Sequence, residues 1–149
     1  MRTILSAIAV TIATSAIAGQ ADPRALEACQ KTSKAFTEIA KCLPDADVAV
    51  KTLDAFSTVY SADASPLKAR CLELNGDNLA GAAACVTEAI KGGLSLRKSL
   101  PAGSDLGDPI FAAVADDGRW SKLESAIKSA RTAYPDQTIW GMTLYQPYR

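Results

Sequence analysis

The four cysteines, Cys29, Cys42, Cys71 and Cys85, are the side chains in this sequence best suited to chemistry. Thiol–disulfide enzymes use two cysteines separated by two residues, whereas here 12 residues separate the first two cysteines and 13 separate the last two. Structural zinc sites also use other spacings and often include histidine. An even number of cysteines at such intervals is typical of structural disulfides. We therefore expect two disulfides rather than a redox or zinc centre.

Histidine is absent from the sequence. Its absence excludes nucleophiles activated by histidine, histidine general bases and metal sites built on imidazole. Hydrolysis would then depend on carboxylates such as Glu38 or Asp47. Asp45 and Asp47, however, follow Pro44 at a position where capping of a new helix is expected. The sequence therefore predicts no catalytic residue, although a small carboxylate-dependent hydrolase or lytic enzyme remains an alternative.

A second group of acidic residues surrounds the glycine-rich loop at 101–108 and the turn that follows it. Carboxylates near glycines could bind calcium, but the spacing of the calcium-binding EF-hand loop is not present. The sequence therefore predicts no metal and no cofactor. The group consists of Asp105, Asp108, Asp116 and Asp117.

The N-terminus has the pattern of an export signal. A single charge, Arg2, precedes a short apolar stretch at 4–18, and small residues suited to cleavage end at Ala18 and again at Ala21. The stretch is diluted by serine, threonine and alanine, whereas a membrane span needs about 20 strongly apolar residues. We expect residues 1–18 to be a signal peptide and 19–149 one helical domain, so that the mature chain starts at Gly19, or else at Asp22. The expected location is periplasmic or secreted, where disulfides form.

The charge of the chain limits its partners. Lys and Arg total 16 and Asp and Glu total 16, so loss of Arg2 with the signal leaves about −1, and the two signs are interspersed. No basic stripe is available to neutralise phosphates, and no lysine-rich amphipathic face suits a membrane surface. We expect neither nucleic acid nor a membrane span in the mature chain. The sequence does not indicate an oligomeric state.

Apolar periodicity and capping residues predict an all-α fold, a small bundle of four to six short helices pinned by disulfides. The glycine-rich loop at 101–108 interrupts the helices, and the tail at 135–149 is predicted to be irregular or strand-like. Residues 94–100 fit either a short helix or an extended segment. The helices are predicted at 23–43, ended by Pro44, at 47–60, at 65–74, at 79–91, closed by Gly92 and Gly93, at 109–115 and, after a turn at 116–118, at 120–134.

The pairing of the cysteines has two main alternatives. One regular helix over 23–43 would hold Cys29 and Cys42 about 20 Å apart, too far for a disulfide. Asn75-Gly76 lets the chain turn back between Cys71 and Cys85. We favour pairing Cys29 with Cys42 and Cys71 with Cys85, which requires a break in the first helix near Thr32-Ser33, with a hydroxyl capping the new start. The nested alternative pairs Cys29 with Cys85 and Cys42 with Cys71.

Aromatic residues are concentrated near the C-terminus. Trp140, Tyr145 and Tyr148 have the composition of an interface hot spot, although packing of these rings over an aromatic-poor core is the interpretation that we favour for the tail as a whole. Trp120 is likewise expected to pack. The function that we favour is a non-catalytic exported binding or inhibitory protein acting through a helical face or the aromatic tail. Its partner would be another exported or envelope protein, and a structural or secretion-accessory component is a further alternative.

Residues 28–98 also resemble a known family. Glu38 stands four residues before Cys42, Phe56 to Tyr60 is followed by a second cysteine pair, and Arg97 follows that pair. In these features the chain resembles the secreted lysozyme-inhibitor-like helical domains of the LprI type, although Ser57 stands where that family has asparagine. The resemblance implies a helical, non-enzymatic periplasmic domain that acts by binding another protein.

Overall fold

The computed structural model describes residues 20–60, 62–141 and 144–149. The predicted signal peptide at 1–18 lies outside the described residues. Within them the chain forms six α-helices and a short 3-10 helix at Ala62–Ala64, and no strand, which confirms the predicted all-α bundle. The helices are α1 Pro23–Thr32, α2 Phe36–Val59, α3 Ser65–Asn75, α4 Leu79–Ser99, α5 Pro109–Val114 and α6 Asp117–Arg131.

The predicted break in the first helix is present between α1 and α2. Helix α1 ends at Thr32, and the Ser33 N–H donates to the Cys29 carbonyl at 3.0 Å. The chain then reverses, which brings Cys29 and Cys42 into a disulfide with Cα atoms 5.8 Å apart. The expected hydroxyl cap is wrong in detail, because the Ser33 hydroxyl accepts from the Ala35 N–H and no side chain caps α2.

The prediction that Pro44 ends a helix is wrong, because α2 continues through Pro44 to Val59. Proline removes one hydrogen bond of the helix and crowds the preceding turn, but packing on both sides offsets this cost. The disulfide at Cys42 fixes the helix before Pro44, and a buried face that includes Val48 and Phe56 fixes it afterwards. Asp45 and Asp47 therefore lie inside a helix and are not caps.

Helices α3 and α4 form a second disulfide-linked pair. Gly76 ends α3 with φ of 53°, a left-handed conformation that glycine adopts at low cost. The Asn78 side chain then caps α4 by accepting from the Gly81 N–H at 2.9 Å. Cys71 and Cys85 are bonded with Cα atoms 5.7 Å apart. Both predicted disulfides are thereby confirmed.

Helices α2 and α4 together form the centre of the bundle. All residues from 80 to 87 are buried, and α4 packs against both α2 and α3 while α1 and α6 pack on α2. The prediction that Gly92 and Gly93 close this helix is wrong, because it continues to Ser99. A Cβ on Gly93 would lie 3.4 Å from Val114 Cγ2, so the missing side chain allows α5 to approach. Burial of Ile90 and Leu94 holds the helix across the glycines.

The last two helices each begin at an aspartate. Residues 101–108 are not helical, as predicted, and the Asp108 carboxylate accepts from the Ile110 and Phe111 N–H groups at the start of α5. The predicted turn at 116–118 is wrong, because Asp116 caps α6 and Asp117 opens it. Residues 132–141 and 144–149 form turns and extended chain, which confirms the irregular tail. No helix in the described part of the chain has the length and apolar character of a membrane span.

Candidate functional site

A cavity of about 770 Å³ lies between α4 and α6. We call it the groove. Helix α4 contributes Glu88 and Lys91 to one wall, and α6 contributes a row that begins at Trp120. The turn at 139–141 and Tyr145 complete the rim. The α6 residues that line the groove are Trp120, Ser121, Glu124, Ser125, Ile127, Lys128 and Arg131.

Cations lie over both tryptophans of the groove. Lys91 Nζ is 5.8 Å from the centre of the Trp120 ring and 2.8 Å from a carboxylate oxygen of Glu88. The Arg131 guanidinium is 4.8 Å from the Trp140 ring. Contacts of this kind contribute about 0.5–1 kcal/mol at exposed positions. They hold the aromatic faces and the positive charges next to each other in one recess.

Trp140 is held in an unfavourable conformation. Its φ is 62°, a left-handed value that is uncommon for a residue with a side chain. Its indole N–H is buried without a hydrogen-bond partner among the described residues, which costs about 1–3 kcal/mol. The Asp45 carboxylate accepts from the Trp140 backbone N–H at 2.9 Å and fixes this geometry. Strain and unpaired polar groups of this kind occur preferentially at functional sites.

Residues 144–149 form an extended C-terminal strap that is held by two asparagines. The Asn75 side chain donates to the Gln146 carbonyl at 3.1 Å and accepts from the Gln146 N–H at 2.8 Å. The Asn78 side chain donates to the Leu144 carbonyl at 2.8 Å. We call these three hydrogen bonds the asparagine clasp. The clasp holds Tyr145 at the rim of the groove.

Substitution of Gly81 by alanine is expected to release the strap. A Cβ on Gly81 would lie 2.5 Å from Asn78 Nδ2 and 2.7 Å from Asn75 Oδ1, so both side chains of the clasp would have to move. Limited proteolysis should then cut within residues 144–149 at least about tenfold faster than in the unmodified protein, which corresponds to about 1.4 kcal/mol of lost clasp stability.

Gly92 provides the matched control, because it lies in the same helix and a Cβ there would meet nothing within 4 Å. Gly92→Ala should leave the strap protected and raise stability by about 0.5–1 kcal/mol. Equal rates of strap cleavage in the two variants would contradict the clasp.

The structure brings the three predicted aromatic residues to one side of the bundle. Trp140 and Tyr145 line the groove, whereas Tyr148 lines a smaller neighbouring cavity of about 210 Å³ with Tyr145 and Glu88. Trp140 and Tyr148 are half-buried and pack against the main core, and Tyr145 is exposed. The tail therefore covers the core with part of each ring and leaves the rest facing the two cavities.

Asp47 is fully buried outside the groove. Its carboxylate accepts from the Asp22 N–H at 2.7 Å, from Lys51 Nζ at 2.5 Å and from the Tyr134 hydroxyl at 3.0 Å. Burial alone would raise the pKa of Asp47, but these three hydrogen bonds hold it below its ordinary value. Burial and the contact with Asp47 raise the pKa of Tyr134 to about 12. Glu38, the other carboxylate considered for hydrolysis, is on the surface and pairs with Lys41.

The four aspartates near the glycine-rich loop bind groups of the chain itself. Asp105 accepts from the Gly107 N–H, Asp117 pairs with Lys98, and Asp108 and Asp116 cap helices. Among the described residues, no group of three or more metal-ligating side chains is close enough together to hold an ion.

Sequence reasoning missed the α6 wall of the groove and the asparagine clasp. Trp120, Glu124 and Lys128 recur every four residues and so share one face of α6, which is the one signal that could have indicated the wall. Asn75 was interpreted only as a turn residue, and the contacts of Asn75 and Asn78 with the strap were not predicted. Their contacts with the strap span 66 and 71 residues and leave no local pattern.

Comparison with known proteins does not assign a family. No family model, curated protein or solved structure matches this chain.

Proposed function

We propose that this chain is an exported, non-catalytic binding protein that holds an extended segment of another exported or envelope protein in the groove. The observation that carries the proposal is that both tryptophans of the chain, together with Tyr145 and Arg131, face one recess. Tryptophan, tyrosine and arginine supply most binding energy at protein interfaces. A volume of about 770 Å³ also falls within the usual range for binding pockets.

The charges of the groove favour a partner segment with acidic and apolar side chains. Lys91, Lys128 and Arg131 outnumber the carboxylates of Glu88 and Glu124. Lys128 and Arg131 also lie in the last turn of α6, where the helix dipole favours cations. Acidic side chains of the partner would pair with these cations, and its apolar side chains would cover the tryptophan faces.

The chemistry of the cysteines supports export. All four form disulfides, and none is free. Disulfides persist in oxidising compartments and are rare in the cytosol. The proposed location is therefore periplasmic or secreted. The resemblance to LprI-type domains adds inhibition of the bound partner as the consequence that we propose for binding.

A carboxylate-dependent hydrolase has weaker support. Neither Glu38 nor Asp47 lines the groove, and the Asp47 carboxylate is occupied by three donors of the chain itself. Glu88 does line the groove, but it is paired with Lys91.

The test compares two charge-reversal substitutions of exposed lysines, one in a helix and one in a loop. Lys128→Glu places a negative charge in the groove, whereas Lys34→Glu makes the same change between α1 and α2. Both variants and the parent are used to capture partners from envelope extract, and the captured protein is then purified and titrated. We expect Lys128→Glu to weaken binding about tenfold or more, and Lys34→Glu to leave it unchanged.

Tryptophan fluorescence provides the second measurement. Because both tryptophans line the groove, occupancy must shift or quench their emission. The proposal would be contradicted if Lys34→Glu weakened binding as much as Lys128→Glu does. It would also be contradicted if the partner bound without changing the tryptophan emission.

A further inference from the structure

The N-terminal end of α1 carries a charge cluster that is short of one positive charge. Among the described residues, three carboxylates, Asp22, Asp47 and Asp54, are in contact with two cations, Arg24 and Lys51. Arg24 contacts Asp22 at 2.8 Å and Asp54 at 2.6 Å, and Lys51 contacts Asp47. A further cation beside Asp47 would make the cluster neutral.

The backbone nitrogen of Asp22 occupies the place where such a cation would act. It donates to Asp47 Oδ1 at 2.7 Å, and the Asp47 side chain is 0% exposed. As part of a peptide bond this nitrogen is a neutral donor. Lys51 contacts the other carboxylate oxygen of Asp47. Its side chain is 39% exposed, so water screens part of its charge. A buried carboxylate is strongly stabilised by a charged partner in hydrogen-bond contact.

The sequence on the other side of this nitrogen is suited to cleavage. Gly19 and Ala21 are the small residues that signal processing requires before the cut bond. Ala21 and Asp22 are only partly buried, and the Asp22 N–H contacts Asp47 of α2.

We propose that the bond between Ala21 and Asp22 is the processing site, and that the α-ammonium group left on Asp22 forms an ion pair with the buried Asp47. Hydrolysis by the processing peptidase adds the oxygen of one water molecule to the Ala21 carboxyl group, and the Asp22 nitrogen takes up protons to become an ammonium. The ammonium keeps a hydrogen available for Asp47 Oδ1 and adds the missing charge.

The groups around the new ammonium favour its charged form. The Asp47 carboxylate faces it, Lys51 and the Tyr134 hydroxyl occupy the other oxygen of Asp47, and Arg24 lies between Asp22 and Asp54. The positive end of the α1 dipole opposes a cation there, but the full charge of the Asp47 carboxylate at 2.7 Å exceeds a partial charge. The proposal does not depend on the groove having a partner.

The experiment starts with the intact mass of exported protein, which should correspond to loss of 21 residues. Three chains are then compared: one starting at Asp22, the same chain acetylated at its N-terminus, and one starting at Gly19. Acetylation removes the charge but keeps an N–H donor, and the Gly19 chain keeps the peptide bond. At pH 6.5 the free Asp22 chain should unfold at least about 4 °C above both others.

The pH dependence of stability distinguishes an ion pair from a stabilising effect of removing residues 19–21 alone. An α-amino group ordinarily titrates at about 7.7–8.0, and pairing with Asp47 raises that value in the folded state. The extra stability is therefore present below about pH 8 and lost as the pH rises through the higher folded value. Exported protein that begins at Gly19, or three chains that unfold at the same temperature between pH 6 and 10, would overturn the proposal.

Discussion

Replacing Cys71 and Cys85 together by alanine is expected to lower the free energy of unfolding by about 3–5 kcal/mol, which is a large part of the about 5–15 kcal/mol typical of a domain. Their disulfide closes a loop with a sequence separation of 14, and closure of such a loop contributes about 3 kcal/mol. Both residues are also in the main core, at 0% and 1% exposure, so lost packing adds to the effect. Urea denaturation of both forms measures the difference.

The pair Cys29 and Cys42 is the matched comparison, because its sequence separation is 13. Loop closure contributes about the same 3 kcal/mol, but Cys42 is half-exposed, and less packing is lost when this pair is replaced. Access controls attack by an external thiol, so dithiothreitol should open this disulfide first. Mass spectrometry of alkylated peptides gives the order, and earlier opening of the Cys71–Cys85 bond would contradict it.

Replacing Asp47 by alanine is expected to lower the free energy of unfolding by about 3 kcal/mol. The substitution leaves the Asp22 N–H, the Tyr134 hydroxyl and Lys51 without their shared acceptor. Each hydrogen bond to a charged group contributes about 1.5–3 kcal/mol, and solvent access to Lys51, which is 39% exposed, limits the total. Alanine at the exposed Asp63 is the control and should change stability by less than about 0.5 kcal/mol.

The same carboxylate gives the parent protein an acid-sensitive component. Hydrogen bonds from its three donors overcome the effect of burial and lower the pKa of Asp47 below the ordinary 3.8. A lowered carboxyl pKa contributes stability that is present above about pH 4 and is lost as the pH falls through the folded value. Asp47→Ala should therefore show a smaller loss of stability below pH 4 than the parent. Parallel curves for the two proteins would contradict this account.

Local sequence signals predicted the features of this fold that depend on neighbouring residues. Distance alone required a break between Cys29 and Cys42 if they were to bond, and the break is present. Gly76 marked the turn between α3 and α4 because a left-handed conformation suits glycine.

Signals that tertiary packing overrides gave wrong helix ends. Pro44 and Gly93 both disfavour a helix in isolation, yet both lie inside one. Pro44 is held between the disulfide at Cys42 and a buried helical face, and Gly93 is small where α5 approaches. Each cause depends on a distant residue, because the disulfide partner of Cys42 is 13 residues earlier and the α5 residue Val114 follows Gly93 by about twenty positions.

The aromatic composition of the tail indicated a candidate site, but its position depends on contacts across most of the chain. Trp140 is fixed by Asp45, 95 residues earlier, and Tyr134 by Asp47, 87 residues earlier. A single sequence contains no record of such pairs. This is why Trp140 and Tyr145 could be predicted as candidates, whereas the groove that they share with α6 could not.

The two sides of the asparagine clasp differ in how well they tolerate substitution. Asn75 and Asn78 use their side chains, but Leu144 and Gln146 are held only by main-chain atoms, and the Leu144 side chain is 91% exposed. Any residue at 144 supplies the same carbonyl acceptor. Any residue except proline at 146 supplies the same carbonyl acceptor and N–H donor. Substitutions at 144 and 146 are therefore expected to leave the clasp intact, whereas substitutions of Asn75, Asn78 or Gly81 are expected to break it.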